Sequence, residues 1–95
     1  MVYSKNNSKD YVIIPTYKEA DNLKELLPLL KGYNVIIVDD NSNDGTIEIC
    51  RGFKNVKLIV RENKRGLSSA VFDGIKSIKE DNANIVVADA DFEHD

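Results

Sequence analysis

Four short apolar runs recur along this sequence: "YVIIP" (11 to 15), "NVIIVDD" (34 to 40), "VKLIV" (56 to 60) and "NIVVADAD" (84 to 91). Each is strand-length, rich in Val and Ile, and bounded by polar or turn residues. Segments with helical spacing separate them. "EADNLKELLPLLKG" (19 to 32) sets Ala20, Leu23, Leu26, Leu27 and Leu30 on one face, with Gly32 placed as a C-cap and Pro28 placed to kink or split the helix. "DGTIEICRGF" (44 to 53) reads as a short helix closed near Gly52, with Asp44 or Thr46 to cap its start. "GLSSAVFDGIKSIKED" (66 to 81) gathers Ala70, Val71, Gly74, Ile75 and Ile78 on a single face, Gly74 marking a close approach of helix to sheet.

Strand and helix in strict alternation specify a parallel sheet with right-handed crossovers. The first, second and fourth runs are continuously apolar, as strands covered on both faces are, whereas Lys57 marks the third as an edge. The expected fold is therefore α/β: a three-layer, Rossmann-like parallel sheet of four strands, in the order 3-2-1-4, with three helices. Ninety-five residues support one domain. Residues 1–10, "MVYSKNNSKD", read as a polar N-terminal tail and residues 11–95 as the domain, with no repeat, linker or low-complexity segment.

Composition removes several classes of function. With 42% hydrophobic and 31% charged residues the chain is globular, and no stretch is long and apolar enough to span a bilayer or form a signal-peptide core. A cytoplasmic location is expected, at the cytosolic membrane face in a complete enzyme. A net charge of −3 gives no general attraction to nucleic acid or anionic lipid, so a phosphate-bearing ligand needs a local device. The single cysteine, Cys50, excludes an internal disulfide and reads as a buried helix residue.

Ligands of open parallel sheets bind beyond the carboxyl ends of the strands, where the direction of strand addition reverses. For the order 3-2-1-4 that point lies between the first and fourth strands. "PTYKE" (15 to 19) leaves the first, "VDDNSNDGT" (38 to 46) the second and "DADFE" (89 to 93) the fourth, so carboxylates converge from distant segments. Asn41, Ser42, Asn43 and Asp44 also suit plain turn and cap roles. Crowding Asp39, Asp40, Asp89 and Asp91 on one rim is costly unless a cation or donor groups relieve the repulsion. No G-x-G-x-x-G follows the first strand and no P-loop motif is present, which removes the usual phosphate cradles. A hard cation such as Mg²⁺ or Mn²⁺, taking carboxylate and phosphate oxygens together, reconciles an acidic rim with a diphosphate-bearing sugar or nucleotide. A receiver-type phosphorylation switch or a D-x-D-x-T phosphatase fits less well, since each needs its acids after the first strand.

"VIIPTYKEADNL", "VIIVDDNSNDGT", "ENKRGLSSAVFDGIK" and "VVADADFEHD", in this order and spacing, resemble the nucleotide-binding half of family 2 glycosyltransferases of the GT-A fold, especially the dolichol-phosphate mannosyltransferase branch. The likeness runs from about Tyr11 to Asp95. It implies that Pro15, Tyr17 and Glu19 line the base pocket, with Val38 and Asp40 at base and ribose. It implies that Asp89, Ala90 and Asp91 form a D-x-D element at a metal and the diphosphate sugar. Where Glu93 stands the family often has Gln or Ser, so a carboxylate there either adds a metal ligand beside Asp89 and Asp91 or departs from the family's role. His94 matches the family by type, and Arg65 is either a cation for substrate phosphate or a solvated loop residue.

The resemblance also implies the partners: a nucleotide-diphosphate sugar, GDP-mannose by the branch, and a lipid phosphate such as polyprenyl or dolichyl phosphate as acceptor. The family's acceptor half lies beyond the D-x-D motif. The chain is accordingly expected to be an N-terminal piece with donor-recognition chemistry and without the means to complete transfer. The competing expectation is an inactive folding module that associates with itself, because a bare apolar fourth strand recruits partners; a homodimer through that edge is its natural form.

Overall fold

The computed structural model describes residues 9–63 and 66–90. Its elements run β1 (Lys9–Thr16), α1 (Ala20–Leu26), a 3₁₀ turn (Leu27–Leu30), β2 (Asn34–Asp39), α2 (Thr46–Arg51), β3 (Val56–Val60), α3 (Leu67–Lys76) and β4 (Ala83–Val87). All strand pairings are parallel and the sheet order is β3-β2-β1-β4, as the sequence predicts.

Side chains alternate across β1 and so build two cores. Val12 and Ile14 join Val35, Ile37, Leu23, Leu27 and Cys50 under α1 and α2. Ile13, Ile36, Val38 and Ala70 meet under α3 on the other face. Full burial of side chains such as Leu23 and Leu27 contributes roughly 1.5–3 kcal/mol each.

Local chemistry decides where elements end. Pro28, lacking an N–H, stops α1 at Leu26, and the chain continues as the 3₁₀ turn. Gly32 does not take the left-handed conformation expected of a C-cap glycine; the turn closes at Lys31 in ordinary helical geometry. Gly45, in the left-handed conformation, is the N-cap of α2, and Asp44 just before it accepts from Thr46 N at 3.3 Å and Thr46 Oγ1 at 2.6 Å. The position thus falls to neither Asp44 nor Thr46, although the Asp44 carboxylate still serves the first turn. Its other oxygen accepts from Ala20 N at 3.3 Å, so one carboxylate serves the starts of two helices.

Gly74 allows α3 to lie directly on the sheet: a Cβ there would stand 2.8 Å from Ile13 Cγ2 and 3.3 Å from Val38 Cγ2. The apolar face of α3 is narrower than its spacing suggests, because Ala70 and Gly74 are buried while Ile75 is exposed and Ile78 lies beyond the helix. Pairing on β1 starts at Lys9, two residues before the expected start of the domain, with Lys9 opposite Ala83 and Asp10 opposite Asn84. The fourth strand stops at Val87 rather than running to the acids. Ile85, Val86 and Val87 are 38%, 56% and 50% exposed, so among the described residues β4 is a bare edge and not a strand covered on both faces.

Candidate nucleotide-sugar site

The exits of β1 and β2 and the first turn of α3 enclose an open cleft of about 280 Å³, lined by Pro15, Thr16, Tyr17, Asp40, Gly66, Leu67 and Ala70. Pro15, Tyr17 and Asp40 are therefore brought together. Tyr17 is half-exposed, with Lys18 Nζ 5.3 Å from its ring centroid. Glu19 is outside this lining; its Oε2 accepts from Asn22 Nδ2 at 2.7 Å at the start of α1. Val38 is 0% exposed and packs beneath α3, so its side chain supports the floor under the cleft.

The acids leaving β2 diverge. Register sets Thr16 beside Asp39, and the Asp39 carboxylate, 2% exposed, accepts from Thr16 Oγ1 at 2.7 Å, Ser42 Oγ at 2.6 Å and Ser42 N at 2.8 Å. Ser42 Oγ in turn accepts from Lys18 N at 2.7 Å, which binds the loop after β1 to the loop after β2. Three residues of these loops, Lys18, Asn41 and Asn43, take positive φ without being glycine, a conformation that suits short Asn side chains. Asp39 is thus a structural carboxylate rather than a member of a repelling rim.

Asp40 faces the cleft and is neutralised from behind. Its Oδ1 accepts from Arg61 Nε at 2.7 Å and its Oδ2 from Gly66 N at 3.3 Å. Arg61 also donates through Nη1 to Ser69 Oγ at 2.8 Å and Asp73 Oδ2 at 3.2 Å, and through Nη2 to Gly66 O at 3.1 Å. The Asp40 hydrogen bond raises the Arg61 pKa; burial opposes it, and Asp73 adds to the rise. Burial pushes the Asp44 carboxyl up, but hydrogen bonds from Thr46 and the Ala20 N–H outweigh it and leave it below its ordinary value.

Sequence reasoning assigned none of Arg61, Thr16, Gly66, Leu67 and Ala70 to the site, and it read Ala70 only as part of the apolar face of α3. A signal for Arg61 was present: it leaves β3 at the same rim where β2 delivers Asp40, and an arginine there is the nearest cation for that acid.

Beyond β4 the ladder gains one more bond, from Ala88 N to Ile13 O at 2.9 Å. Asp89 then stands exposed and Ala90 turns inward to full burial against Val12 and Ile14. Asp91, Glu93, His94 and Arg65 lie outside the described residues. Among the described residues no group of three or more His, Cys, Asp or Glu is placed to hold a metal. The donor type fits Mg²⁺ or Mn²⁺ all the same: Asp89 offers hard carboxylate oxygen at a strand exit, and these cations commonly take few protein ligands. Cys50 is no ligand candidate, since burial and then the Asp39 charge push its thiol up to about 11.

Fold and cleft define an α/β domain built to receive a ligand beyond the carboxyl ends of its strands, as nucleotide-binding halves of GT-A enzymes do. The model of the family described as glycosyl transferase family 2 matches residues 11–95, and the chain belongs to that family. It is 41% identical over 96 residues to a dolichol-phosphate mannosyltransferase of Saccharomyces cerevisiae, covering 87% of this chain and 35% of that protein. It is 44% identical over 92 residues to the protein of that name from Pyrococcus furiosus, covering 87% and 26%. For the one from Mycosarcoma maydis the figures are 35% over 99 residues, 87% and 33%. The chain thus spans between a quarter and about a third of the length of these curated relatives.

Proposed function

We propose that this chain is the donor-binding part of a metal-dependent glycosyltransferase that, when complete, transfers mannose from GDP-mannose to a polyprenyl or dolichyl phosphate. The observation that carries this reading is the cleft holding Pro15, Tyr17 and Asp40, open at the strand exits beside the switch point. The names of the relatives supply the sugar and the lipid acceptor.

In this reading Pro15 and the Tyr17 ring flank the base, and Asp40 meets the base or ribose. Glu19, whose carboxylate accepts from Asn22 and which stands outside the cleft lining, is proposed to reach the base once ligand is bound, and Val38 supports the floor. Asp89 and Asp91, with Glu93 as a further ligand, hold Mg²⁺ or Mn²⁺ at the diphosphate sugar, and Ala90, buried between them in the D-x-D element, anchors that turn to the core. The cation, once bound, stabilises charge on the leaving phosphate. Donor binding is the role proposed for the residues of this chain, and acceptor binding that of the complete enzyme. Among the described residues no helix is long and apolar enough to cross a membrane.

Calorimetric titration of GDP-mannose and UDP-glucose, with and without Mn²⁺, tests this on the wild type and Asp91→Ala. Binding that Mn²⁺ strengthens and the substitution weakens is expected. Metal-independent binding that Asp91→Ala leaves unchanged contradicts it.

A second reading, a self-associating module, is favoured by one observation: the bare edge of β4 with Ile85, Val86 and Val87 exposed. In this competing reading the chain is an inactive folding module, and the edge is proposed to pair with a second copy of the chain.

A further inference from the structure

A buried arginine just behind the cleft has no part in the reading above, yet it touches both of the cleft's polar walls. Arg61 is 4% exposed, and its own N–H is fixed by Asp39 O at 2.8 Å. Its side chain closes a ring with two cleft residues. Nε donates to Asp40 Oδ1, Nη2 donates to Gly66 O, and Gly66 N donates to Asp40 Oδ2.

Gly66 is held on both sides of its peptide in a conformation, φ 122 and ψ 140, that side-chain-bearing residues rarely adopt. That conformation aims the first turn of α3, with Leu67 and Ala70, at the cleft. The planar guanidinium reaches two elements at once, since its remaining bonds run to Ser69 and Asp73 on α3. The carboxylate of Asp40 is both oriented and compensated, so the wall facing a nucleotide is not a bare anion.

The geometry points to Arg61 as a positioning residue for nucleotide binding, which sets the Asp40 carboxylate and the Gly66 turn without touching the ligand. This rests on the reading of the cleft as the nucleotide site. Truncation to alanine leaves the buried Asp40 without its cation and Asp73 without one of its two, Lys76 remaining at 3.5 Å, and endangers the fold, so the informative variant is Arg61→Lys, which keeps the charge but not the fork.

GDP affinity in Mn²⁺ and melting temperature are measured on wild type, Arg61→Lys and Val35→Ala. Val35, 1% exposed, sits at the amino end of β2, away from the cleft, so its truncation is a control for lost stability alone. Arg61→Lys is expected to weaken GDP about tenfold, the scale of one lost charge-assisted hydrogen bond, at temperatures where it is fully folded. Val35→Ala is expected to melt earlier with affinity unchanged. Slowed exchange of the Gly66 amide in the wild type, lost in Arg61→Lys, reports the same ring without ligand.

Folded Arg61→Lys that binds GDP as the wild type does overturns the assignment. So does affinity falling in step with melting temperature in both variants. A wild type that fails to bind GDP removes the underlying reading, a result distinguishable because failure of the Arg61 assignment leaves wild-type binding intact.

Discussion

Asp39 Oδ1 accepts a hydrogen bond from Thr16 Oγ1 at 2.7 Å, joining the last residues of β1 and β2 inside the protein. The same carboxylate accepts both donors of Ser42, and the loop that carries Tyr17 hangs on Ser42 through Lys18 N. Asp39→Asn keeps the shape but turns an NH₂ toward one of these donors. With the site buried, a loss of about 1–3 kcal/mol is expected. Urea unfolding measures it, and a variant as stable as the wild type would show that the network carries no net energy.

Gly74→Ala tests how closely α3 lies on the sheet. The new methyl meets Ile13 Cγ2 at 2.8 Å, an overpacking that costs about 1–3 kcal/mol, offset by about 1 kcal/mol of better helix propensity. A net destabilisation is expected. Ile13→Ala removes the Cγ2 that is struck, whereas Ile13→Val keeps it. A double-mutant cycle should therefore show favourable coupling with the first and little with the second. Equal coupling for both would place the contact elsewhere.

These two sites mark what was legible in the sequence. Gly74 was readable because a glycine within a helical apolar face has few other uses. The strand order followed from Lys57 on β3 and from the alternation of elements. Asp39 and Asp40 were not separable, because adjacent strand-end residues differ only in the direction they point, and that depends on register with Thr16 and on what emerges from β3. For β4 the sequence supported two expectations, a strand covered on both faces and a bare apolar edge, because an apolar run states only what a strand can bury; Ile85 to Val87 find too little to bury against within the described residues.

The Cys50 thiol gives an alkaline signature. Its pKa is raised from 9.0 to about 11 by burial and then by Asp39, so the folded state holds the proton more tightly than the unfolded state. This contribution is fully present below pH 9.0 and is lost as pH rises through about 11. Wild type should lose stability over that window relative to Cys50→Ala, each measured against its own value at pH 7. Parallel curves would argue against a desolvated thiol.

Asp44 gives an acid signature of opposite sign. Its pKa is lowered from 3.8, so its stabilisation is present above 3.8 and is lost as pH falls through the depressed folded value. Asp44→Asn keeps an acceptor for Thr46 while losing the charge at the start of α2. The stability gap between wild type and Asp44→Asn should be open at pH 7 and close in strong acid. A gap independent of pH would assign the effect to hydrogen-bond geometry alone. The carboxylate is exposed, so the gap is expected to be small.

The edge of β4 yields the last test. β3, the opposite edge, carries Lys57, a charge that discourages edge-to-edge pairing, while Ala83–Val87 has no charge or proline. Val86 lies on the α1 side of the sheet and Ile85 and Val87 on the α3 side, following their partners Val12, Tyr11 and Ile13. Both faces of the strand are therefore apolar where they meet solvent. Sedimentation velocity of the wild type over increasing concentration should show a shift from monomer to dimer. Val86→Lys introduces a charge on that edge without disturbing a buried contact, and it should hold the chain monomeric with its melting temperature nearly unchanged. A wild type that stays monomeric at high concentration would count against pairing through β4, and a Val86→Lys variant that still dimerises would place the interface on another surface.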